Sequence, residues 1–252
     1  MNRNIRQQEI YRLVQVKGAC SIAELARELD VSGETIRRNV KDLVQEGLIV
    51  KSHGGISLPS HNQEPPILNR MQRKVEEKKR IAEAVSSRVE DGDSIIIDTG
   101  STTAFCAQAL RAHSNLTVVT NSSYIANLLA TRNENRVFMV GGELRAHDAA
   151  AFGSHAIEFV ANFHAEKCIL SIGAIHPDRG CMNFELCEAE FSRAVLKHSD
   201  YAILASDSSK FGRTGIARVS GFDGINLLVT DEIPNAPLDT RFRDADVEVL
   251  VA

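Results

Sequence analysis

Two stretches of this 252-residue chain carry side chains at spacings that chemistry can use. The first is Asp98-Thr99-Gly100-Ser101-Thr102-Thr103, where an apolar run from Ser94 to Ile97 gives way at once to a helical pattern through Phe105 and Leu110. Backbone N–H groups at a helix start carry partial positive charge, a glycine allows close approach, and three hydroxyls can donate to an anion. The chemistry is the holding of a phosphate. The same groups serve equally to cap a helix, and the segment alone does not separate the two. The second stretch is Ser32, Glu34, Thr35, Arg37, Arg38 and Lys41, followed by Lys51 and His53. Arg37 and Arg38 offer the planar fork that grips guanine or phosphate, which is the chemistry of double-stranded DNA recognition.

The elements around the basic set suit that task. Ile5, Ile10, Leu13 and Val14 predict a first helix closed by Gly18. Ser21 and Glu24 form a capping-box pattern ahead of Ile22, Leu25, Ala26 and Leu29, and Asp30-Val31 turns the chain. Ser32 then caps a third helix with the stripe Ile36, Val40, Leu43 and Val44, leaving the basic residues mainly on other faces. Residues 48–58 read as two short β segments folded about Gly54-Gly55, a wing carrying Lys51 and His53. A three-helix protein-binding module with a solvated basic face is the competing reading. The order of capping box, turn, basic face and glycine hairpin favours a winged helix-turn-helix. Charge agrees: residues 1–60 carry +2, and residues 61–252 carry -6.

His61 to Pro66 is polar and ends in a Pro pair, which marks a linker. A helical pattern runs from about Asn69 to Glu90, with Ile81, Ala82, Val85 and Val89 as its apolar stripe and a solvated mixed-charge face from Arg70 to Arg80, a phosphate contact from Lys78 or Lys79 remaining open. Beyond it, β-rich runs at 94–97, 116–120, 136–140, 167–172, 201–205 and 226–230 alternate with helical patterns, predicting an α/β domain with a largely parallel sheet. Ligands of such sheets sit at the carboxy ends of the strands. Those ends carry Thr120-Asn121, Gly141-Gly142, Gly173 and Asp207-Ser208-Ser209-Lys210, which are expected to converge with Asp98–Thr103 on one crevice, Lys210 serving as counter-charge to an anion. Arg145, Glu188 and Arg193 read at least as well as surface residues.

Hydrophobic residues at 43% and charged residues at 25% exclude a disordered or fibrous chain. No apolar run is long enough for a bilayer and nothing suggests export, so a cytoplasmic location is expected. Five scattered cysteines lack the paired spacing of a metal or redox site and read as idle thiols. Asp98 and Glu188 are the only evident bases for a sugar-phosphate isomerase or deaminase, and no paired acidic motif or histidine cluster supports one, so an enzyme is not expected. An unregulated DNA-compacting protein conflicts with the acidic larger domain.

Val31-Ser32-Gly33-Glu34-Thr35-Ile36-Arg37-Arg38, with Leu43, Glu46-Gly47 and His53-Gly54-Gly55, resembles the amino-terminal signature of DeoR/GlpR-type bacterial repressors. Asn39 and Lys51 stand where that family usually has Asp and Arg, and Gly33 removes one possible base contact from the recognition helix. The later segments, with Gly153 and Leu204–Phe211, resemble the sensor domain of the same family, similar in fold to ribose-5-phosphate isomerase. The resemblance implies a winged helix-turn-helix at 1–60, a linker and start of the connecting helix at 61–75, and a sugar-phosphate-sensing domain at 76–252. It further implies a homo-oligomer, dimer or higher, that leaves its operator when a phosphorylated sugar or polyol binds. By that analogy Asp98, Gly100, Ser101, Thr102, Thr103 and Lys210 would hold the effector, with Thr120, Asn121 and Gly142 at neighbouring strand ends, and no cofactor or metal is required.

Overall fold

The computed structural model describes residues 5–45, 48–52, 55–57 and 64–252. The chain divides into two compact units, Met1–Arg73 and Lys74–Ala252.

The first unit runs α1 (Ile5–Lys17), β1 (Ala19–Cys20), α2 (Ile22–Glu28), α3 (Gly33–Gln45), β2 (Val50–Ser52), β3 (Gly55–Ser57) and α4 (Ile67–Met71). Gly18 ends α1 in a left-handed turn, its N–H donating to the Val14 carbonyl at 2.9 Å. The capping box is complete: Ser21 Oγ accepts the Glu24 N–H at 3.1 Å, and the Glu24 carboxylate accepts the Ser21 N–H at 2.7 Å. Ile10, Val14, Leu25, Ile36, Val40, Leu43, Ile49 and Ile56 close the core. Ile5 does not join it; at the first turn of α1 it is 78% exposed. The wing is a three-stranded antiparallel sheet in the order β1-β3-β2, where the sequence pattern gave two strands. The two-residue β1 is too short to show a pattern, yet it dictates Gly55: a Cβ there would lie 2.4 Å from the Cys20 carbonyl oxygen. His53 and Gly54, expected in the hairpin, lie outside the described residues.

The second unit begins with α5 (Val75–Ser86), β4 (Ser94–Ile97), α6 (Ser101–Ala109), β5 (Thr117–Thr120), α7 (Ser123–Ala130), β6 (Arg136–Met139), α8 (Ser154–Val160) and β7 (Ala165–Leu170). It continues with β8 (Ala174–His176), β9 (Gly180–Asn183), α9 (Leu186–Lys197), β10 (Ser199–Ala205), β11 (Ala217–Ser220), β12 (Leu227–Thr230), α10 (Leu238–Asp244) and β13 (Glu248–Val251). Seven strands form one parallel sheet in the order β13-β12-β10-β7-β4-β5-β6, and β11-β9-β8 form a small antiparallel one. The central strands are apolar along their inner stretches, residues 95–97, 168–170, 202–205 and 227–229, as strands covered on both faces must be. Ile96, Cys168, Leu204 and Leu228 pack into one cluster with Phe191 of α9 and Phe242 of α10, while Ile95 and Ile97, one residue either side of Ile96, project from the opposite face.

Two expectations about the connecting segment fail. The continuous helix from Asn69 to Glu90 is split into α4 and α5 by Lys74, whose backbone is left-handed (φ 48°, ψ 47°). Lys78, placed on a solvated face, is 3% exposed. Its spacing to Ile81, Ala82 and Val85 explains this, because i, i+3, i+4 and i+7 share one helix face.

Candidate functional site

The exposed face of α3 is a basic surface fixed from beneath. Ile36, Val40 and Leu43 are buried, which turns Arg37, Arg38 and Lys41 to solvent. Ser32 is spent on structure: its Oγ accepts the Thr35 N–H at 3.2 Å and sits 2.9 Å from the Thr35 hydroxyl. Glu34 and Arg37 form an exposed pair, Nη1 to Oε2 3.4 Å, loose enough for water or a base edge to replace either partner. Asn39 Nδ2 donates back to the Thr35 carbonyl at 2.8 Å, which holds that amide along the helix. Gln7 of α1 donates to Asp42 of α3 at 3.0 Å, locking the two helices together. Lys51 is exposed on β2. A helix projecting cations beside a β-ribbon has the shape and charge that the major groove admits.

In the larger unit the chain order reverses between β4 and β7: β5 and β6 lie on one side of β4, and β7, β10, β12 and β13 follow on the other. The carboxy ends of β4 and β7 therefore bound the crevice where sheets of this kind take ligands. Asp98, at the end of β4, accepts the Ser171 N–H at 3.2 Å through both carboxylate oxygens and so joins the two strand ends. Gly100 follows, and a Cβ there would lie 1.9 Å from Ser171 Oγ and 3.1 Å from Ser171 Cβ, so glycine lets the two strand ends approach closely. Ser101, Thr102 and Thr103 form the first turn of α6 and are all buried, with Thr103 Oγ1 donating to the Gly100 carbonyl at 3.2 Å. Thr99 Oγ1 is buried with no hydrogen-bond partner among the described residues. A buried hydroxyl in that state is uncommon in folded proteins.

Asn121 holds this loop in place. Its Oδ1 accepts the Thr99 N–H at 3.1 Å, and its Nδ2 donates to the Ala151 carbonyl at 3.1 Å. Thr120 Oγ1 accepts the Ser122 N–H at 3.1 Å, and both residues are fully buried. Gly173, after β7, donates its N–H to Asn183 Oδ1 at 2.8 Å. The structure thus brings Asp98, Gly100, Ser101, Thr102, Thr103, Thr120 and Asn121 together at adjoining strand ends. Gly142 (φ 138°) is exposed in the loop after β6, and Lys210 is half-buried in the single 3-10 turn Ser208–Lys210 after β10, two strands from β4.

Residues 6–62 match the family model of the DeoR-like helix-turn-helix domain, and residues 73–232 match that of the DeoR C terminal sensor domain. The chain belongs to the DeoR family. It is 34% identical to the HTH-type transcriptional repressor CsqR of Escherichia coli, covering 98% of this chain and 95% of that one. It is 35% identical to the glycerol-3-phosphate regulon repressor of the same organism, covering 93% of each. A ribose 5-phosphate isomerase from Plasmodium falciparum matches at a TM-score of 0.39 and 15% identity, over 55% of this chain and 54% of that one, a likeness too slight to carry an argument. This DeoR-family chain is a DNA-binding transcriptional regulator, and none of its described helices is long and apolar enough to cross a membrane.

Sequence reasoning missed two polar clusters in the DeoR-family sensor. Arg145, which read as a surface residue, ties the loop after β6 to the start of α9: it donates to Asp148, to Glu185 at 2.7 Å and to Glu188 at 2.6 Å, and lies 4.3 Å over the Phe152 ring. Burial works against its charge, but the Asp148 and Glu188 carboxylates outweigh it and hold the guanidinium above its ordinary range. His147 stands with Glu185 and Glu188 in metal-ligand reach, yet Arg145 already occupies both carboxylates. The second cluster is Lys74 with Ser208 and Asp231 at the carboxy ends of β10 and β12. No local pattern announces the second, whose members are 23 to 157 residues apart, nor the first, where Arg145 lies three residues from Asp148 but 40 and 43 from Glu185 and Glu188. Ser171 was legible in principle, as the first polar residue after an apolar strand.

Proposed function

We propose that this regulator is a repressor of an operon for carbohydrate or polyol breakdown, and that a phosphorylated sugar or polyol releases it from its operator. In this reading residues 1–60 bind DNA, 61–75 connect, and 76–252 sense. Glu34, Thr35, Arg37, Arg38 and Lys41 meet the major groove, Ser32 sets the helix that carries them, and Lys51 and His53 meet the backbone from the wing. The phosphate sits on the first turn of α6 against Gly100, Ser101, Thr102 and Thr103. Asp98, Thr120 and Asn121 shape the crevice, Gly142 borders it, and Lys210 supplies positive charge from the turn after β10, two strands from β4.

The observation that carries this reading is the buried, unpartnered Thr99 hydroxyl in a loop that opens onto the reversal point of the sheet, beside a helix start. Backbone N–H groups at such a start favour an anion. One helix and one wing cover few base pairs, so we infer at least a homodimer reading repeated half-sites. Its place of action is the cytoplasm, on the nucleoid when bound.

The test is a gel shift on DNA upstream of the gene and its neighbours, with and without glycerol 3-phosphate, ribose 5-phosphate and related phosphates. Arg38→Ala weakens operator binding and keeps the thermal shift caused by the effector, whereas Ser101→Ala with Thr102→Ala does the reverse. Absence of any specific shift at moderate salt, or equal loss of both properties in either variant, defeats the assignment.

A further inference from the structure

Lys74 opens the sensing unit, and its side chain fastens that point to the far end of the sheet. Its Nζ donates to Asp231 Oδ2 at 2.8 Å and to Ser208 Oγ at 2.9 Å. Asp231 accepts the Ser208 N–H through Oδ1 at 2.6 Å and the Ser208 hydroxyl through Oδ2 at 3.1 Å, so the three residues form a closed ring of charge-assisted hydrogen bonds. The Asp231 side chain is 1% exposed. Burial opposes its charge, but the Lys74 ammonium and the Ser208 N–H hold its carboxyl below the ordinary range.

Two further features distinguish this clasp from a surface ion pair. The Lys74 backbone is left-handed, a conformation that an L side chain adopts against its preference, and the Lys74 carbonyl accepts the Lys78 N–H at 3.0 Å, which starts α5. The clasp therefore sets where the helix begins and in which direction the chain enters it. Ser208, for its part, begins the turn that carries Lys210, and Asp207 holds that turn by accepting the Ser209 N–H at 3.0 Å. Beside the turn lies a cavity of about 350 Å³ lined by Lys74, Ser208, Ser209, Phe211, Asn235 and Leu238 among others, so the turn is not packed on every side.

We propose that the Lys74–Ser208–Asp231 clasp is the coupling element of the sensor, joining the ligand-holding end of the sheet to the residue at which the chain enters the sensing unit. The inference rests on the reading that an anionic effector binds at these strand ends. An anion held on the first turn of α6 draws the Lys210 ammonium toward it, and the 208–210 turn moves with that side chain. Asp231 then loses its donors, the clasp opens, and the left-handed turn at Lys74 relaxes. Closed in this structure, the clasp would have an open arrangement as its alternative, and a ligand that prefers the open one shifts the balance toward it.

Asp231→Asn keeps the volume and removes the charge. In limited trypsin digestion of the full chain, cleavage after Arg73 and Lys74 accelerates by about tenfold in this variant, as expected where cutting tracks local opening and one charge-assisted contact is lost. Lys74→Gln, at a half-exposed position, does the same for the Arg73 bond, and a single cooperative melt checks that each variant is folded. In operator gel shifts with glycerol 3-phosphate and ribose 5-phosphate as probes, the ratio of affinities with and without the responding probe falls toward one in both variants. Equal trypsin rates in wild type and Asp231→Asn overturn the clasp. A wild-type response that both variants reproduce in full overturns its coupling role and leaves the sensing reading standing. A wild type indifferent to every phosphate overturns the sensing reading and the coupling role with it.

Discussion

Replacing Gly100 by alanine tests the crevice at its tightest point. The added Cβ would lie 1.9 Å from Ser171 Oγ, 3.1 Å from Ser171 Cβ and 3.0 Å from Thr103 Oγ1. The Ser171 hydroxyl can rotate away, but its Cβ cannot, and the Ser171 backbone is held by Asp98. The strand ends must then separate by several tenths of an ångström, an overpacking strain of about 1–3 kcal/mol. For a unit of this size, each kcal/mol lowers the melting temperature by about 2–4 °C, so calorimetry should show the sensing transition falling by about 2–12 °C. Ser171→Gly removes both blocking atoms and should restore most of the loss in the double variant, a coupling of about 0.5–3 kcal/mol in the cycle. Operator binding below the transition stays at the wild-type level, because Gly100 belongs to the other compact unit. A Gly100→Ala protein that melts with wild type, or one that Ser171→Gly fails to rescue, refutes the claim that close approach of β4 and β7 shapes the crevice.

Ser21→Ala removes the acceptor half of the capping box and should destabilise the DNA-binding unit by about 1 kcal/mol, read as a lower thermal midpoint of that unit alone. Arg145→Ala strands Asp148, whose side chain is fully buried, beside Glu188; urea unfolding at pH 7.5 should show a loss of about 2–4 kcal/mol, below the full range for a buried pair because Glu185 is half-exposed. Burial pushes the Cys168 and Cys181 thiols up to about 12 and raises Cys106 further. Thiol modification at pH 8, followed by mass spectrometry, should therefore label Cys187 first in the native protein and all five cysteines after denaturation.

The parts of this molecule written in local pattern were legible, and the parts written across the fold were not. The capping box, the α3 stripe and six of the seven parallel strands each depend on residues a few positions apart, and their patterns survive folding. β4 was placed to the residue, while β7 and β10 begin two residues earlier than their patterns suggest, where charged residues at the strand entry mask the run. The edge strand β13 and the β8-β9-β11 sheet escaped notice because each is three or four residues long and takes its form from its neighbours. Lys74 shows the limit most plainly: its sequence surroundings are those of a good helix, and a contact with Asp231, 157 residues away, overrides them.

The ion pair from Arg88, just after α5, to Glu248 of β13 at 2.6 Å has a bearing on biosynthesis. The first helix of the sensor packs on α6, made soon after it, but its remaining contacts are to β10 and β12 and to the chain around β13, and such distant closures are slow and late. The DNA-binding unit draws the core of its described residues from Ile10 to Ile56, all made before the sensor. On the ribosome a repressor of this design acquires its grip on DNA before it acquires its hearing. A message cut short anywhere in the last third of the gene would then yield a product able to occupy an operator and deaf to the signal that should clear it.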